Sequence, residues 1–209
     1  MQPVPVSTDD RASALLEAVK RAFAEKGFDG ASMQDLARAA GMSAGNFYRY
    51  FPSKDAIVAA MVQKDLAEVQ EDFLQIQRSG SPEQSLITAF ERRIDSMSTV
   101  DGPLWAEIDA AAVRKPEIAA ALSKMEGAVM ELMTTLFARI SGRNPHEAQH
   151  LYSAQVCFLM MLYKGAALWV VSKGQHTPDE TRCQLRNLIL QTIRRTISDI
   201  AADRPRQVS

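Results

Sequence analysis

Residues 41–54, GMSAGNFYRYFPSK, constrain the fold more tightly than any other stretch of the chain. Gly41 and Pro52 bracket it and Ser43 is a good N-cap, so the helix between them has room for little more than two turns. Phe47, Tyr48, Tyr50 and Phe51 crowd into that helix, in a chain that is only 7% aromatic. Phe47 and Phe51 lie four apart and share a face, with Tyr50 beside them, and that face is expected to be buried. Gly45, Tyr48 and Arg49 share the other face, with Ala44 and Asn46 close by. A glycine inside a helix costs about 1 kcal/mol against alanine. A helix this short that accepts the cost gains a bare patch of backbone beside a phenol, an amide and a guanidinium. Such a face suits close approach to a phosphate chain and to base edges.

The preceding segment, ASMQDLARAA, fits the same unit. Ser32 is an N-cap and Asp35 follows three residues on, an acidic relative of the capping box. Met33, Leu36, Ala37 and Ala40 form an apolar stripe, and Gly41 stands where a left-handed residue ends the helix. Helix, glycine turn, short helix is the helix-turn-helix pattern. An amphipathic helix over residues 10–26 comes first, with Leu15, Leu16, Val19, Ala22 and Phe23 inward and Gly27 closing it.

Residues 27–62, GFDGASMQDLARAAGMSAGNFYRYFPSKDAIVAAMV, resemble the N-terminal domain of the TetR family of bacterial transcriptional regulators. The likeness runs over about residues 11–62, and its core is small-Gly-x-aromatic-Tyr-x-Tyr-Phe-x-x-Lys. The resemblance implies that the second helix of the motif enters the major groove of operator DNA. It implies phosphate contacts from Tyr48 and Lys54, with Ser32 holding phosphate at the first helix of the motif. Gln34, Ala44, Gly45, Asn46 and Arg49 would lie nearest the base edges, and the cap Ser43 belongs to the same DNA-contacting set. Many members carry a longer polar residue where Ala44 stands, so base reading is expected to lean on Gln34, Asn46 and Arg49.

The chain has 209 residues, 46% of them hydrophobic, enough for one small domain and one larger one. No strand-like alternation stands out, so the fold expected is all-α. The division expected is a flexible arm over residues 1–9, the helix-turn-helix domain over 10–53, a helical effector-binding and dimerisation domain over 54–202, and a flexible tail over 203–209. The formal net charge is −1, and residues 1–55 hold equal numbers of basic and acidic side chains. A basic domain is the usual footprint of a DNA binder, so the DNA signal here is the motif and not the charge. Cys157 and Cys183 give no disulfide framework, which fits a reducing compartment. The first ten residues, MQPVPVSTDD, do not read as a signal peptide. The apolar run 156–171 is interrupted by Lys164 and is short for a bilayer. A cytoplasmic protein without a membrane partner is expected.

From Ser53 onward helix follows helix. Residues 54–77 carry Ile57, Val58, Met61, Leu66, Val69 and Phe73, and this helix is the natural link from the reading helix into the second domain. Pro82 opens a segment to about residue 97 with Leu86, Phe90 and Ile94. Another opens at Asp101 with Leu104, Trp105, Ile108 and Val113 inward, and one after Pro116 runs to about residue 140. Residues 146–173 are apolar nearly all round and need cover on both sides. The last helix carries a stripe at Leu185, Leu188, Ile189, Ile193, Ile197 and Ile200. A two-fold dimer pairing these two helices with their copies as a four-helix bundle meets that need, and the family resemblance implies the same. Trp169, Leu185, Leu188, Ile189, Ile193 and Ile197 are the expected dimer contacts.

Ten methionines suggest an adaptable apolar interior, and the family resemblance implies an inducer pocket among the middle helices. The expected lining is Phe73, Phe90, Ile94, Met97, Trp105, Ile108, Met125, Met133, Phe158 and Met161, with Glu107, Asp109 and Tyr163 as polar anchors. The expected effector is small and apolar or amphipathic. No catalytic residue, metal or cofactor is expected.

One competing motif points elsewhere. His146-Glu147-Ala-Gln-His150 matches H-E-x-x-H, the zinc-peptidase pattern of two imidazoles one turn apart with a glutamate base. Asn144 and Pro145 put both histidines at the start of a helix, and residues 151–175 contain no Asp, Glu or His to serve as third ligand. The enzyme alternative is therefore remote.

Overall fold

The computed structural model describes residues 8–97, 101–173 and 176–205. The fold is all-α, an N-terminal helix-turn-helix followed by further helices, with no strand among the described residues. In chain order the helices are α1 (Thr8–Lys26), α2 (Met33–Ala39), α3 (Ala44–Tyr50), α4 (Lys54–Arg78), α5 (Pro82–Asp95), α6 (Asp101–Ala112), α7 (Pro116–Ser141), α8 (Pro145–Lys173) and α9 (Asp179–Ala202). Local chemistry sets their ends. Gly27, Gly41 and Gly142 adopt φ of 75°, 65° and 72°, the left-handed conformation that stops α1, α2 and α7. Pro82, Pro116 and Pro145 open helices, where a missing N–H costs nothing.

The chain forms two compact units. The first takes residues 1–65 and 99–125, and the second takes 66–98 and 126–209. The unit that holds the helix-turn-helix is thus larger than the expected 10–53, because α6 and the start of α7 pack into its core. Phe23, Phe28, Leu36, Phe47, Ile57 and Met61 are buried there together with Leu104, Ile108, Ile118 and Leu122. In the second unit Phe73, Leu86, Met133, Leu136, Phe137, Tyr152, Val156, Leu159, Ile193 and Ile197 make one apolar core. Along α5 and α9 ion pairs reinforce it, Arg186 with Asp95 and Arg194 with Glu91.

Only the inner residues of the expected arm and tail are described. Residues 1–7 and 206–209 lie outside the described residues, but Thr8 already belongs to α1. At the other end Asp203 caps α9, and its carboxylate accepts from the Tyr152 hydroxyl at 2.8 Å and from Arg143 at 2.9 Å. These two donors, Tyr152 first, hold the Asp203 carboxyl below its ordinary value.

Three burial expectations are overturned. Tyr50 is 46% exposed instead of sharing the Phe47 face. Helix α3 ends at Tyr50, and Phe51 enters the core from extended backbone at φ −132°. Val113 lies beyond the last residue of α6 and is 87% exposed. Ile193 and Ile197 are buried inside the protomer and are not free to meet a second copy.

Candidate nucleic-acid interface

The two helices of the motif are fixed from below by their caps and from inside by aromatic packing. The Ser32 hydroxyl accepts from the Asp35 backbone N–H at 3.1 Å, and the Asp35 carboxylate accepts from the Ser32 N–H at 3.0 Å and from its hydroxyl at 2.5 Å. Lys26 also donates to Asp35 at 2.5 Å. The lysine first, and then Ser32, hold the Asp35 carboxyl well below the usual carboxylate range. Ser32 is therefore a cap whose hydroxyl proton is already committed, which leaves only its exposed position to support a phosphate contact. At α3 the Ser43 hydroxyl accepts from Asn46 N–H at 3.4 Å. Below it Phe47 is fully buried, with its ring centroid 5.4 Å from that of Phe51.

The outer side of this pair is wet. Gln34, Ser43, Ala44, Gly45, Asn46, Tyr48 and Arg49 are all exposed. A Cβ built on Gly45 meets nothing within 4 Å, so its bareness has no internal packing reason. Tyr50, which sequence spacing assigns to the core, joins this exposed set.

Lys54 sits differently from its expected role. Its Nζ donates to the carbonyls of Phe28 at 2.8 Å and Asp29 at 3.0 Å, and it lies 5.2 Å from the Phe28 ring centroid. The ammonium has a third N–H, so holding the α1–α2 turn and touching a phosphate are compatible.

The expected ligand set divides between the two cores. Trp105, Ile108 and Met125 pack into the first unit's core, whereas Phe73, Phe90, Ile94 and Met133 pack into the second's. Met97 is half-buried at the end of the stretch that follows α5. Phe158 and Met161 point to solvent, 43% and 71% exposed, because the core-facing side of α8 carries Ala148, Tyr152, Val156 and Leu159 instead. Glu107 is engaged by the Phe28 backbone N–H, Asp109 is exposed, and Tyr163 is half-buried. Sequence reasoning missed Gln155, which falls at helical spacing among those inward residues. Its Oε1 is buried without a hydrogen-bond partner. A cavity of about 270 Å³ lies elsewhere, between α4 and α5, lined by polar groups such as Gln75, Gln84, Thr88 and Arg92.

Of the expected dimer contacts, Leu188 is 59% exposed and Trp169, Leu185 and Ile189 are half-buried. Leu151, Phe158, Met161 and Leu168 add exposed apolar area on α8. Ile193 and Ile197, turned into the protomer core, drop out of the set. His146, Glu147 and His150 are exposed at the start of α8, and no cluster of three potential metal ligands occurs among the described residues.

Helices α1–α3 thus form a three-helix domain of the helix-turn-helix class, with a polar outer face on its third helix. Residues 15–61 match the family model for bacterial regulatory proteins, tetR family. The regulator EthR of Mycolicibacterium smegmatis is 43% identical over 56 residues, a match covering 27% of this chain and 26% of that protein. Escherichia coli UidR is 24% identical over 193 residues, covering 90% of this chain and 81% of the relative. Salmonella enterica GusR shares the fold at a TM-score of 0.70 and 19% identity, over 95% of this chain and all of that one. Residues 15–61 thus match the tetR family model, and the described residues as a whole share the fold of solved TetR-family regulators. The relatives named here are transcriptional regulators and not enzymes.

Proposed function

We propose that this chain is a DNA-binding transcriptional regulator that occupies a near-palindromic operator as a homodimer, represses by blocking the promoter, and is released by a small effector. The observation that carries the DNA-binding part is the outer face of α3. There Asn46, Tyr48 and Arg49 stand exposed around a glycine whose missing side chain has no internal use. Gln34, Asn46 and Arg49 are assigned to base edges, and Tyr48, Lys54 and Ser32 to phosphates. The match of residues 15–61 to the tetR family model supports the same assignment.

Dimerisation is supported by the exposed apolar side chains of α8 and α9, of which Met161 and Leu188 are the most exposed. Helix α8 is also long and apolar enough, by length and composition, to cross a membrane. A second copy is the better cover, because Lys164 in its middle pairs with Glu126 of α7 and both remain partly exposed. A cytoplasmic location follows from the DNA partner.

The effector site is assigned to the second unit's core, among Phe73, Phe90, Ile94 and Met133, with Gln155 as acceptor. An unpaired buried amide oxygen costs about 1–3 kcal/mol, so a mostly apolar effector with one hydrogen-bond donor fits there. It releases DNA only through its preference for the non-binding state, and a hundredfold preference is worth about 2.7 kcal/mol.

Selection of duplexes from a random pool by the purified chain tests the proposal. The expected product is a two-fold sequence with half-sites about one helical turn apart. Recovery of no enriched sequence, or of a single unrepeated half-site, refutes it.

A further inference from the structure

We propose that Glu107 of α6 is a positioning residue for the DNA-reading helices, acting through the backbone of the turn between α1 and α2. The inference rests on the DNA-binding function proposed above and adds a residue outside the helix-turn-helix segment to its machinery.

The turn is short and leads directly into the cap of α2. Gly27 turns the chain with φ 75°, and Phe28 follows with its side chain 2% exposed. The Phe28 N–H donates to the Glu107 carboxylate, a residue 79 positions away in sequence. On the other side, the Phe28 and Asp29 carbonyls accept from Lys54 of α4. Residue 28 is thus gripped at its N–H by an acid and at its C=O by a base, both charge-assisted bonds and hence stronger than neutral ones. Lys115, just before α7, completes the grip. Its Nζ lies 5.2 Å from the Phe28 ring centroid and donates to Asp55 of α4 at 2.9 Å.

Glu107 is itself exposed, and packing places no demand for a carboxylate at that position. Its use is on the Phe28 amide. Helix α2 starts at Met33, shortly beyond that amide, and packs on α3, so the acid sets where the reading face lies. Removal of the acceptor leaves the phosphate-binding side chains in the molecule but lets the turn, and α2 with it, shift. Specific binding, which needs base-edge geometry, then falls more than non-specific binding, which needs only charge.

The test uses the full-length chain, the duplex that the wild type enriches from a random pool, and a scrambled duplex of equal length. Glu107→Leu is expected to bind the enriched duplex about tenfold more weakly or worse, the worth of one bond to a charged group, with scrambled-duplex affinity within about twofold. Glu107→Gln keeps an oxygen acceptor and is expected to retain most of the preference. Glu107→Asp keeps the charge but withdraws it by one methylene, and is expected to lose part of the preference alone. It decides the matter should the leucine variant fail to fold. Wild-type preference in the leucine and aspartate variants overturns the proposal. So does equal weakening on both duplexes, the mark of a merely structural bond, or a glutamine variant as poor as leucine. Failure of the wild type to enrich any duplex overturns the DNA-binding function itself.

Discussion

Lys54→Met separates the clamp that this ammonium forms on the α1–α2 turn from the phosphate contact proposed for it. Methionine keeps most of the apolar stem and removes the charge. In the free protein this deletes two bonds, to Phe28 O and Asp29 O, and a cation lying 5.2 Å from the Phe28 ring centroid. A bond to a charged group is worth about 1.5–3 kcal/mol. The Asp29 bond is exposed and is discounted to nearly nothing, while the Phe28 bond is partly buried and counts at the low end. The ring contributes about 0.5–1 kcal/mol. The sum is about 2 kcal/mol, which lowers the melting temperature by about 4–8 °C in a chain of this size. On DNA, a cation withdrawn from one phosphate reduces the slope of log affinity against log salt by about 0.9, so a dimer on two half-sites shows a slope reduced by about 2. Calorimetry reads the first effect and a salt titration on the enriched duplex reads the second. An unchanged melting temperature refutes the clamp on the α1–α2 turn. A lowered melting temperature with an unchanged slope confines Lys54 to the turn and refutes its phosphate role.

Met161→Glu and Leu188→Glu, on the exposed apolar side chains of α8 and α9, are expected to yield folded monomers by light scattering and to lose operator affinity. Ile193→Glu, by contrast, buries an unpaired carboxylate in the protomer core and is expected to unfold the chain outright, several kcal/mol worse, by circular dichroism. Phe47→Ala removes the ring that anchors α3 and is expected to cost about 3–5 kcal/mol in denaturant titration. The Tyr152 hydroxyl and Arg143 depress the Asp203 carboxyl. The stability they lend is present above the ordinary carboxylate range and lost as pH falls through the lowered value. Denaturant midpoints taken from about pH 6 to about pH 2 should therefore fall less steeply for Asp203→Asn than for wild type.

What is legible in the sequence is what local chemistry decides. Ser32 with Asp35, Gly27 and Gly41, and Pro82 and Pro116 each act on neighbours within four residues, and the helix ends they mark stand where expected. The exposed side of α3 follows from the same rules. Long-range choices are not legible. Lys54 meets carbonyls 26 and 25 residues away, and no spacing rule distinguishes that partner from a phosphate. Periodicity misplaces Tyr50 because a residue three positions from Phe47 sits at the edge of the buried face, and spacing does not say whether the core reaches that far. Pattern alone groups Trp105 and Ile108 with Phe73 and Met133, because all are large, apolar and helical. Which core each joins depends on how α6 packs, and that is set by partners such as Phe28 and not by its own pattern.

Helix α9 shows why an apolar stripe specifies burial without naming what does the burying. Leu190, Ile193, Ile197 and Ile200 recur at helical spacing and all turn into the protomer. Leu188 sits off that line and stays 59% exposed, on a helix whose remaining surface holds Arg182, Arg186, Arg194 and Arg195. Helix α8 poses the same question more sharply, because its apolar residues surround it and only 11% of its most apolar stretch is buried. Hydrocarbon can cover Met161 and Leu168, but it strongly disfavours the pair that Lys164 of the same helix makes with Glu126 of α7. Water favours that pair and disfavours the methionine. A protein surface that is apolar at its centre and wet at its rim satisfies both, and that is the reason for proposing a two-fold copy of α8 and α9 as the cover.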